Sequence, residues 1–376
     1  MTMEDNSKAQ SPVLRVGILG AANIARKNVK AIQHQYNVRH CKLVAIASRS
    51  KEKATQFLSN HVSQQQEVQG EENENDNERI KLYTGKDSYC QIINDVHIDA
   101  LYIPLPTQLH LQYVKQAISA GKHVLVEKPV ALSHKEYEEM SNLAIEKEKF
   151  LMDGTMFVHN PRTKEVVDFL SIRPNGNNDD GTNQNNEMNS VTRIQSNFTF
   201  LGDDDFFTNN IRILKNGDKL GCIGDLGWYC IRMAQLVFKA PAKYAQVVHY
   251  NLNDDGVPID ATCLVSFESN NQHNGQQQLG RQFKGDRILS FHCSFLHPLT
   301  QDISFYGYEK TIYMDDFVIP REEGEDKRNS SFQIKSQTLA HADLYSIHAN
   351  ELKESSPFDD DIGTCFNPPH EVLLLH

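Results

Sequence analysis

The chain predicts an α/β protein: a doubly wound parallel sheet, followed by an α+β domain with a large, mostly antiparallel sheet. Three observations carry this expectation. Short apolar runs alternate with helical spacings up to about residue 150, a glycine turn joins the first run to the first helix, and strand-like runs predominate after residue 155. Regular β–α alternation implies a parallel sheet covered on both faces. The 376 residues suit two domains, at roughly 100–200 residues each, with expected limits of 1–155 and 156–376.

Residues 13–20 (VLRVGILG) form an apolar run ending in glycine, suited to a buried parallel strand. Ala25, Val29, Ile32 and Tyr36 follow at helical spacing, and residues 43–48 (LVAIAS) supply a second buried strand. This is one βαβ unit. Residues 98–103 (IDALYI) are the next strand, closed by Pro104 and Pro106. Leu111, Val114 and Ile118 share a helix face that ends at Gly121, a C-cap position. Residues 123–126 (HVLV) return to the sheet, and Ser133 with Glu136 makes a capping box for a helix with Tyr137, Met140 and Ala144 inward. Residues 150–152 begin another strand. The second half predicts strands at 191–200, 244–250, 261–268, 288–295, 302–306 and 310–314, with a single clear helix near 225–238. Three polar segments, 62–79, 172–190 and 269–285, hold too little apolar surface to bury and are expected to be disordered loops.

A net charge of −11, from 38 basic and 49 acidic residues, argues against a nucleic-acid partner. Seven cysteines, an odd number with no C-x-x-C, give neither a zinc cluster nor a disulfide framework; they read as buried thiols in a reducing compartment. No metal site is predicted. The N-terminal MTMEDNSKAQSP lacks an apolar core and carries acids, unlike a signal or transit peptide. No run reaches the roughly 18 apolar residues of a membrane span, so a cytoplasmic protein without a membrane contact is expected.

The first turn reads Gly20-x-Ala22-x-x-Ala25 between a strand and a helix. A tight turn at Gly20 and small residues at 22 and 25 let backbone approach a pyrophosphate and let the helix pack on the strand. The helix N-terminus then offers N–H groups to the anion. Gly20, Ala22, Asn23 and Ile24 are the predicted contacts of a Rossmann-type dinucleotide site; the other reading is a plain tight turn. At the end of the second strand stand Ser48, Arg49 and Ser50, with Lys53 one turn on. No acid occupies the position that usually holds the ribose of NAD, and Arg49 can pair with a 2′-phosphate, so NADP is expected over NAD. Arg49 and Lys53 as solvated charges is the alternative.

Three further segments, Pro-Leu-Pro-Thr-Gln-Leu-His at 104–110, Glu-Lys-Pro at 127–129 and Gly-Cys-Ile-Gly-Asp-Leu-Gly-Trp-Tyr at 221–229, complete a pattern. Together with GILGAANIA they resemble the Gfo/Idh/MocA oxidoreductases, over roughly residues 13 to 320, and most of all the branch of dimeric dihydrodiol dehydrogenase and NADP-dependent D-xylose dehydrogenase with its plant relatives. The resemblance implies that Lys128 is the catalytic lysine, preceding a cis bond to Pro129. It implies that Tyr229 is the proton-handling tyrosine, and that Asp225 contacts substrate. It also implies that Pro106, Thr107, His110 and Glu127, with Lys128, line the cofactor. Asn160 and Arg162, in HNPRT, are read equally as cleft residues or as loop stabilisers.

The chemistry of the residues agrees. A tyrosine of pKa about 10 is a poor base at neutral pH, and an adjacent ammonium favours its phenolate. Asp225 and Tyr229, four apart, share a helix face. Alternatives stay open: Tyr229 as a core tyrosine, Asp225 as a helix cap, His110 as an ordinary first-turn residue. Departures from the family pattern are Gly221-Cys222-Ile223 in place of a glycine run, and an ending, EVLLLH with Leu373, Leu374 and Leu375, that reads as a helix cut short. The expected activity is NADP-dependent hydride transfer on a pentose, hexose or cyclic diol by a homodimer formed through the C-terminal sheet. The competing readings are a non-catalytic dinucleotide-binding regulator and an NAD-dependent glycosidase.

Overall fold

The computed structural model describes residues 13–34, 37, 39–62, 80–171, 191–268, 286–307, 310–320, 331–338 and 341–348. They fall into two compact units, the first ending at Gly154 and the second starting at Thr155.

In the first unit, β1 (Leu14–Leu19), β2 (Cys41–Ser48), β3 (Lys81–Thr84), β4 (Ala100–Ile103), β5 (His123–Val126) and β6 (Leu151–Asp153) form one parallel sheet in the order β3-β2-β1-β4-β5-β6. Helices α1 (Ala25–Gln33), α2 (Lys51–His61), α3 (Ser88–Ile93), α4 (His110–Ser119) and α5 (His134–Glu146) connect them. The order reverses between β1 and β4, and doubly wound sheets bind ligands at the carboxyl ends of the strands flanking such a reversal. The central strands are apolar because both faces are covered: Ile18, Leu19, Ile46, Leu101 and Ile103 are fully buried. Gly17 is required on β1, since a Cβ there would stand 3.0–3.1 Å from Leu101, Ile92 and Ile98.

Local details depart from expectation in places. Ser133 does cap α5, accepting from the Glu136 N–H at 3.2 Å, but Glu136 reaches back to Leu132, and Tyr137 is exposed rather than inward. A tyrosine at the edge of the apolar stripe keeps its hydroxyl in water while Met140 and Ala144 fill the interface. Tyr36 lies outside the described residues. So do the polar segments, except Val62, which ends α2.

The second unit is an eight-stranded sheet of β7 (Arg193–Leu201), β8 (Ala242–Leu252), β9 (Pro258–Phe267), β10 (Arg287–Ser294), β11 (Leu296–Tyr306), β12 (Lys310–Met314), β13 (Ser331–Thr338) and β14 (His341–His348). The order is β14-β13-β12-β11-β7-β10-β9-β8, antiparallel throughout except β7 beside β10. Helix α8 (Trp228–Phe238) packs on it, preceded by a π turn over Ile223–Gly227. The expectation of a single helix is corrected by α6 (Pro161–Ser171) and α7 (Asp204–Asn209). Pro161 pre-sets the first turn of α6, with Val166 and Leu170 buried one turn apart. Asp203 caps α7, accepting from the Phe206 N–H at 2.7 Å.

The β13–β14 hairpin occupies a stretch that the sequence pattern left unassigned; on β13, Phe332 and Ile334 are buried at period two. The residues after 348, including Leu373–Leu375, lie outside the described residues. Of the described cysteines, five are buried free thiols, while Cys90 is exposed and corrects the reading of all seven as buried. No described helix is long and apolar enough to cross a membrane.

Candidate active site

Gly20 ends β1 with φ of +122°, a conformation open to glycine, and its N–H donates to the Ala47 carbonyl at 2.9 Å. A Cβ at Gly20 would lie 3.0 Å from Leu105, on the loop after β4. The absent side chain therefore leaves the turn open where β1 and β4 diverge. The Ala22, Asn23 and Ile24 carbonyls accept the first backbone bonds of α1, Ala25 is fully buried against the sheet, and the first turn of α1 carries no acid. This chemistry fits a pyrophosphate on a helix N-terminus.

Ser48 is buried at the end of β2, and its hydroxyl accepts from the Ser50 N–H at 3.3 Å. Ser50 caps α2, accepting from the Lys53 N–H at 3.2 Å. Arg49 is exposed, and its charge opposes the rise that burial gives the Tyr89 hydroxyl pKa; that hydroxyl lies 3.8 Å from the Cβ position of Gly20. Tyr89 sits in a short helix beyond a polar segment, where no local motif marks it. The sequence reading also left out Glu52. A backbone hydrogen bond and a 2.8 Å hydrogen bond from Ser50 hold its carboxyl pKa below the usual range, with a smaller contribution from the charge of Lys51.

The loop after β4 runs through Pro104, Leu105 and Pro106 into a single 3₁₀ turn at Thr107–Leu109 and then α4. Thr107 and His110 are buried. His110 is more than a first-turn residue: Nε2 lies 2.7 Å from the Leu105 carbonyl, and Nδ1 lies 3.1 Å from both the Pro129 and Val130 carbonyls. The imidazole thus ties the loop after β4 to the segment after β5.

That segment carries Glu127, Lys128 and Pro129, and the Lys128–Pro129 bond is cis, as the resemblance implied. Glu127 accepts from the Tyr102 hydroxyl at 2.5 Å and from the Lys128 N–H at 3.2 Å, and Gly154 packs against its carboxylate. Burial pushes the Glu127 carboxyl pKa up, opposed by Tyr102 and by the charges of Lys128 and Lys27. Tyr102 read as plain strand filler in the sequence; burial raises its hydroxyl well above its ordinary range, so it remains a neutral donor. Gly20, Ser48–Ser50, Pro106–His110 and Glu127–Pro129 therefore all sit at the carboxyl ends of β1, β2, β4 and β5.

In the second unit, Asp225 lies inside the π turn and is not the helix cap that was its alternative reading. Its carboxylate pairs with Arg212 Nε at 2.8 Å. The pairing raises the Arg212 pKa, to which Tyr229 also contributes, so Arg212 faces both groups. Arg212 lies between elements, where no local period marks it. Tyr229 is almost fully buried, with ring centroids 5.8 Å from Phe157 and 5.6 Å from Phe198. Its ring is core, as the alternative held. Trp228 donates to the buried Thr155 hydroxyl at 2.7 Å. Asn160 stabilises a helix start: its Oδ1 accepts from the Arg162 N–H at 2.9 Å. Arg162 is buried on Asp316 rather than lining an open surface.

A parallel sheet in this order with a glycine turn at its switch point defines a dinucleotide-binding scaffold. Residues 14–155 match the family model described as "Oxidoreductase family, NAD-binding Rossmann fold", that of Gfo/Idh/MocA. A dTDP-3,4-didehydro-2,6-dideoxy-alpha-D-glucose 3-reductase from Actinomadura kijaniata is 27% identical over 93% of each chain. The NADP(+)-dependent D-xylose 1-dehydrogenase 2 of Haloferax volcanii is 27% identical over 67% of this chain and 66% of its own. Among solved structures, a 3-ketoreductase from Actinomadura kijaniata in complex with NADP and TDP-benzene is similar in fold, with a TM-score of 0.64 at 22% identity over 90% of this chain and 85% of that one. Residues 14–155 thus carry the NAD-binding Rossmann fold of the Gfo/Idh/MocA oxidoreductases, and the chain is an NAD(P)-dependent oxidoreductase acting on CH–OH groups.

Proposed function

We propose that the protein is an NADP-dependent oxidoreductase acting on a pentose, hexose or cyclic diol, with Lys128 and Tyr229 handling the proton. The observation that carries this is the gathering of Gly20, Arg49, His110 and Lys128 at the carboxyl ends of four neighbouring parallel strands. The turn from Gly20 to Ile24 would hold the pyrophosphate, Ser48 to Lys53 the adenosine end, and Pro106, Thr107, His110, Glu127 and Lys128 the nicotinamide end. When bound, the cofactor accepts or donates the hydride. Lys128 supplies a positive charge to the oxygen that loses or gains a proton. Tyr229 carries that proton on its hydroxyl. Asp225 orients Arg212 and contacts substrate hydroxyls; Asn160 supports the segment before α6. The exposed length of β8, with Tyr244, Val247, Tyr250 and Leu252, supports a homodimer through this sheet.

Activity is tested by NADP reduction with a panel of pentoses, hexoses and cyclic diols. A second reading, a nucleotide-linked sugar as substrate, is favoured by the reductase similar over 93% of the chain, and the reverse assay with keto-sugar nucleotides and NADPH separates the two. A protein that binds NADP but turns over none of these would overturn the proposal.

Cofactor choice is tested at Arg49. Arg49→Ala is expected to weaken NADP binding about tenfold, equal to about 1.4 kcal/mol, and to leave NAD nearly unchanged. Fluorescence titration of both cofactors measures this, and an equal loss for both would remove Arg49 from the 2′-phosphate. At the turn, Gly20→Val must adopt positive φ and meet Leu105. At a strain cost of about 1–3 kcal/mol, NADPH affinity should fall at least severalfold in a protein still folded by circular dichroism; unchanged affinity would exclude the turn as the pyrophosphate site.

A further inference from the structure

We infer that the second unit holds a divalent transition-metal site, of the kind zinc occupies, formed by Asp260, His292 and His297 with His249 at its flank. Strand register builds it. Thr262 on β9 pairs with His249 on β8 and His292 on β10, while Asp260 pairs with Asn251 and Ser294. Residues two apart share a face, so the two histidines and the carboxylate gather on one side of three neighbouring strands. His297, near the start of β11, closes the group.

The distances fit a bound ion better than hydrogen bonding. Asp260 is 4% exposed, and its Oδ1 is buried without a hydrogen-bond partner. Facing that oxygen are His292 Nε2 at 3.5 Å and His297 Nε2 at 3.8 Å, and His249 Nε2 lies 3.4 Å from Oδ2. The ligating atoms of Asp260, His292 and His297 all lie within 4.8 Å of one another. A tetrahedral ion with bonds of about 2.0–2.1 Å spaces its ligand atoms roughly 3.3–3.4 Å apart, close to this arrangement. The surroundings match what orients metal ligands: His292 Nδ1 lies 3.1 Å from the Thr262 hydroxyl, and Asn251 donates to Asp260 Oδ2 at 3.2 Å. One imidazole nitrogen is thus engaged while the other faces the carboxylate. Imidazole with carboxylate suits zinc and its neighbours rather than magnesium or calcium. The fourth position is left to His249 or solvent. Such an ion would clip β9, β10 and the start of β11 together.

The test is calorimetric titration of the full chain with ZnCl₂ after chelator treatment, with Mg²⁺ as control and NADPH affinity recorded on the same samples. One saturable equivalent of Zn²⁺ per chain, a raised melting temperature and no response to Mg²⁺ are expected. His297→Ala and Asp260→Asn should weaken binding more than tenfold, Thr262→Val by about 10-fold, and His134→Ala, on the first unit, not at all. Should Asp260→Asn fail to fold, His297→Ala decides, since that side chain is 54% exposed. Absence of stoichiometric zinc binding, or binding that survives His297→Ala undiminished, would leave the cluster an ordinary set of histidine–carboxylate ion pairs and overturn the site.

Discussion

Replacing Lys128 with methionine should lower turnover by at least about 10²-fold, the usual scale for losing a group that assists proton transfer, while NADPH affinity and melting temperature stay close to the parent's. The stem of methionine keeps the packing of the lysine chain, so the change isolates the charge. The side chain is held in place from its own backbone: His110 braces the carbonyls of Pro129 and Val130, and Glu127 accepts from the Lys128 N–H. Neither bond needs the ammonium. What the ammonium does support is ionised Glu127, so its removal also pushes the Glu127 carboxyl further toward the protonated form. A companion change, Tyr102→Phe, removes a hydrogen bond to Glu127 without touching Lys128, and should cost far less turnover. Steady-state kinetics with the best substrate, beside NADPH titration, reads the difference. Lys128→Met with turnover within twofold of the parent would sink the assigned role, and a loss of NADPH binding as large as the loss of turnover would confine Lys128 to its cofactor contact.

How much of this was legible beforehand depends on the range of the interaction. The parallel sheet shows in local pattern because each buried strand is a continuous apolar run, and the run-and-turn at Gly20 needs only nine consecutive residues. Lys128 is visible because the Glu-Lys-Pro segment after a buried strand is one of the segments that carry the family resemblance. The partners that hold the site are not visible, because they act across the fold. Tyr102 and Glu127 are 25 residues apart, and Arg212 faces Asp225 from an irregular segment with no period to announce it. The metal cluster is least legible of all. His249, Asp260, His292 and His297 have no ligand spacing along the chain and meet only through strand register, so a search for local His and Cys motifs passes over them. The helix α6 was missed for the opposite reason: Asn160-Pro161 reads as a loop, although proline at the first helical position starts a helix as readily as it ends one.

Removing the carboxylate of Asp316 should produce a large stability loss in the second unit. Arg162 is 2% exposed and donates to Asp316 Oδ1 at 2.5 Å and to the Asp316 carbonyl at 2.7 Å. Asp316→Ala strands a buried guanidinium, and breaking such a pair from one side costs about 3–5 kcal/mol. The paired change Arg162→Met with Asp316→Leu removes both charges and should recover much of that loss, because the desolvation of two ions disappears with their attraction. The consequence reaches the candidate site. Asp316 bridges to Gln301 on β11, whose side chain holds both the N–H and the carbonyl of Ile319. Between them Phe317 packs edge-on to Phe157 and beside Phe198, the two rings that flank Tyr229. Loosening residues 315–319 therefore frees the tyrosine ring as well as weakening the sheet. Trp228, the chain's single tryptophan, adjoins Tyr229 and is anchored to Thr155, so its fluorescence in urea follows this unit alone. NADPH affinity, set by residues of the first unit, supplies the control. Asp316→Ala should shift the tryptophan transition to lower urea and reduce turnover while NADPH binding holds. A transition left within about 1 kcal/mol of the parent, the scale of an exposed ion pair, would show that the Arg162–Asp316 pair contributes no more than a surface one.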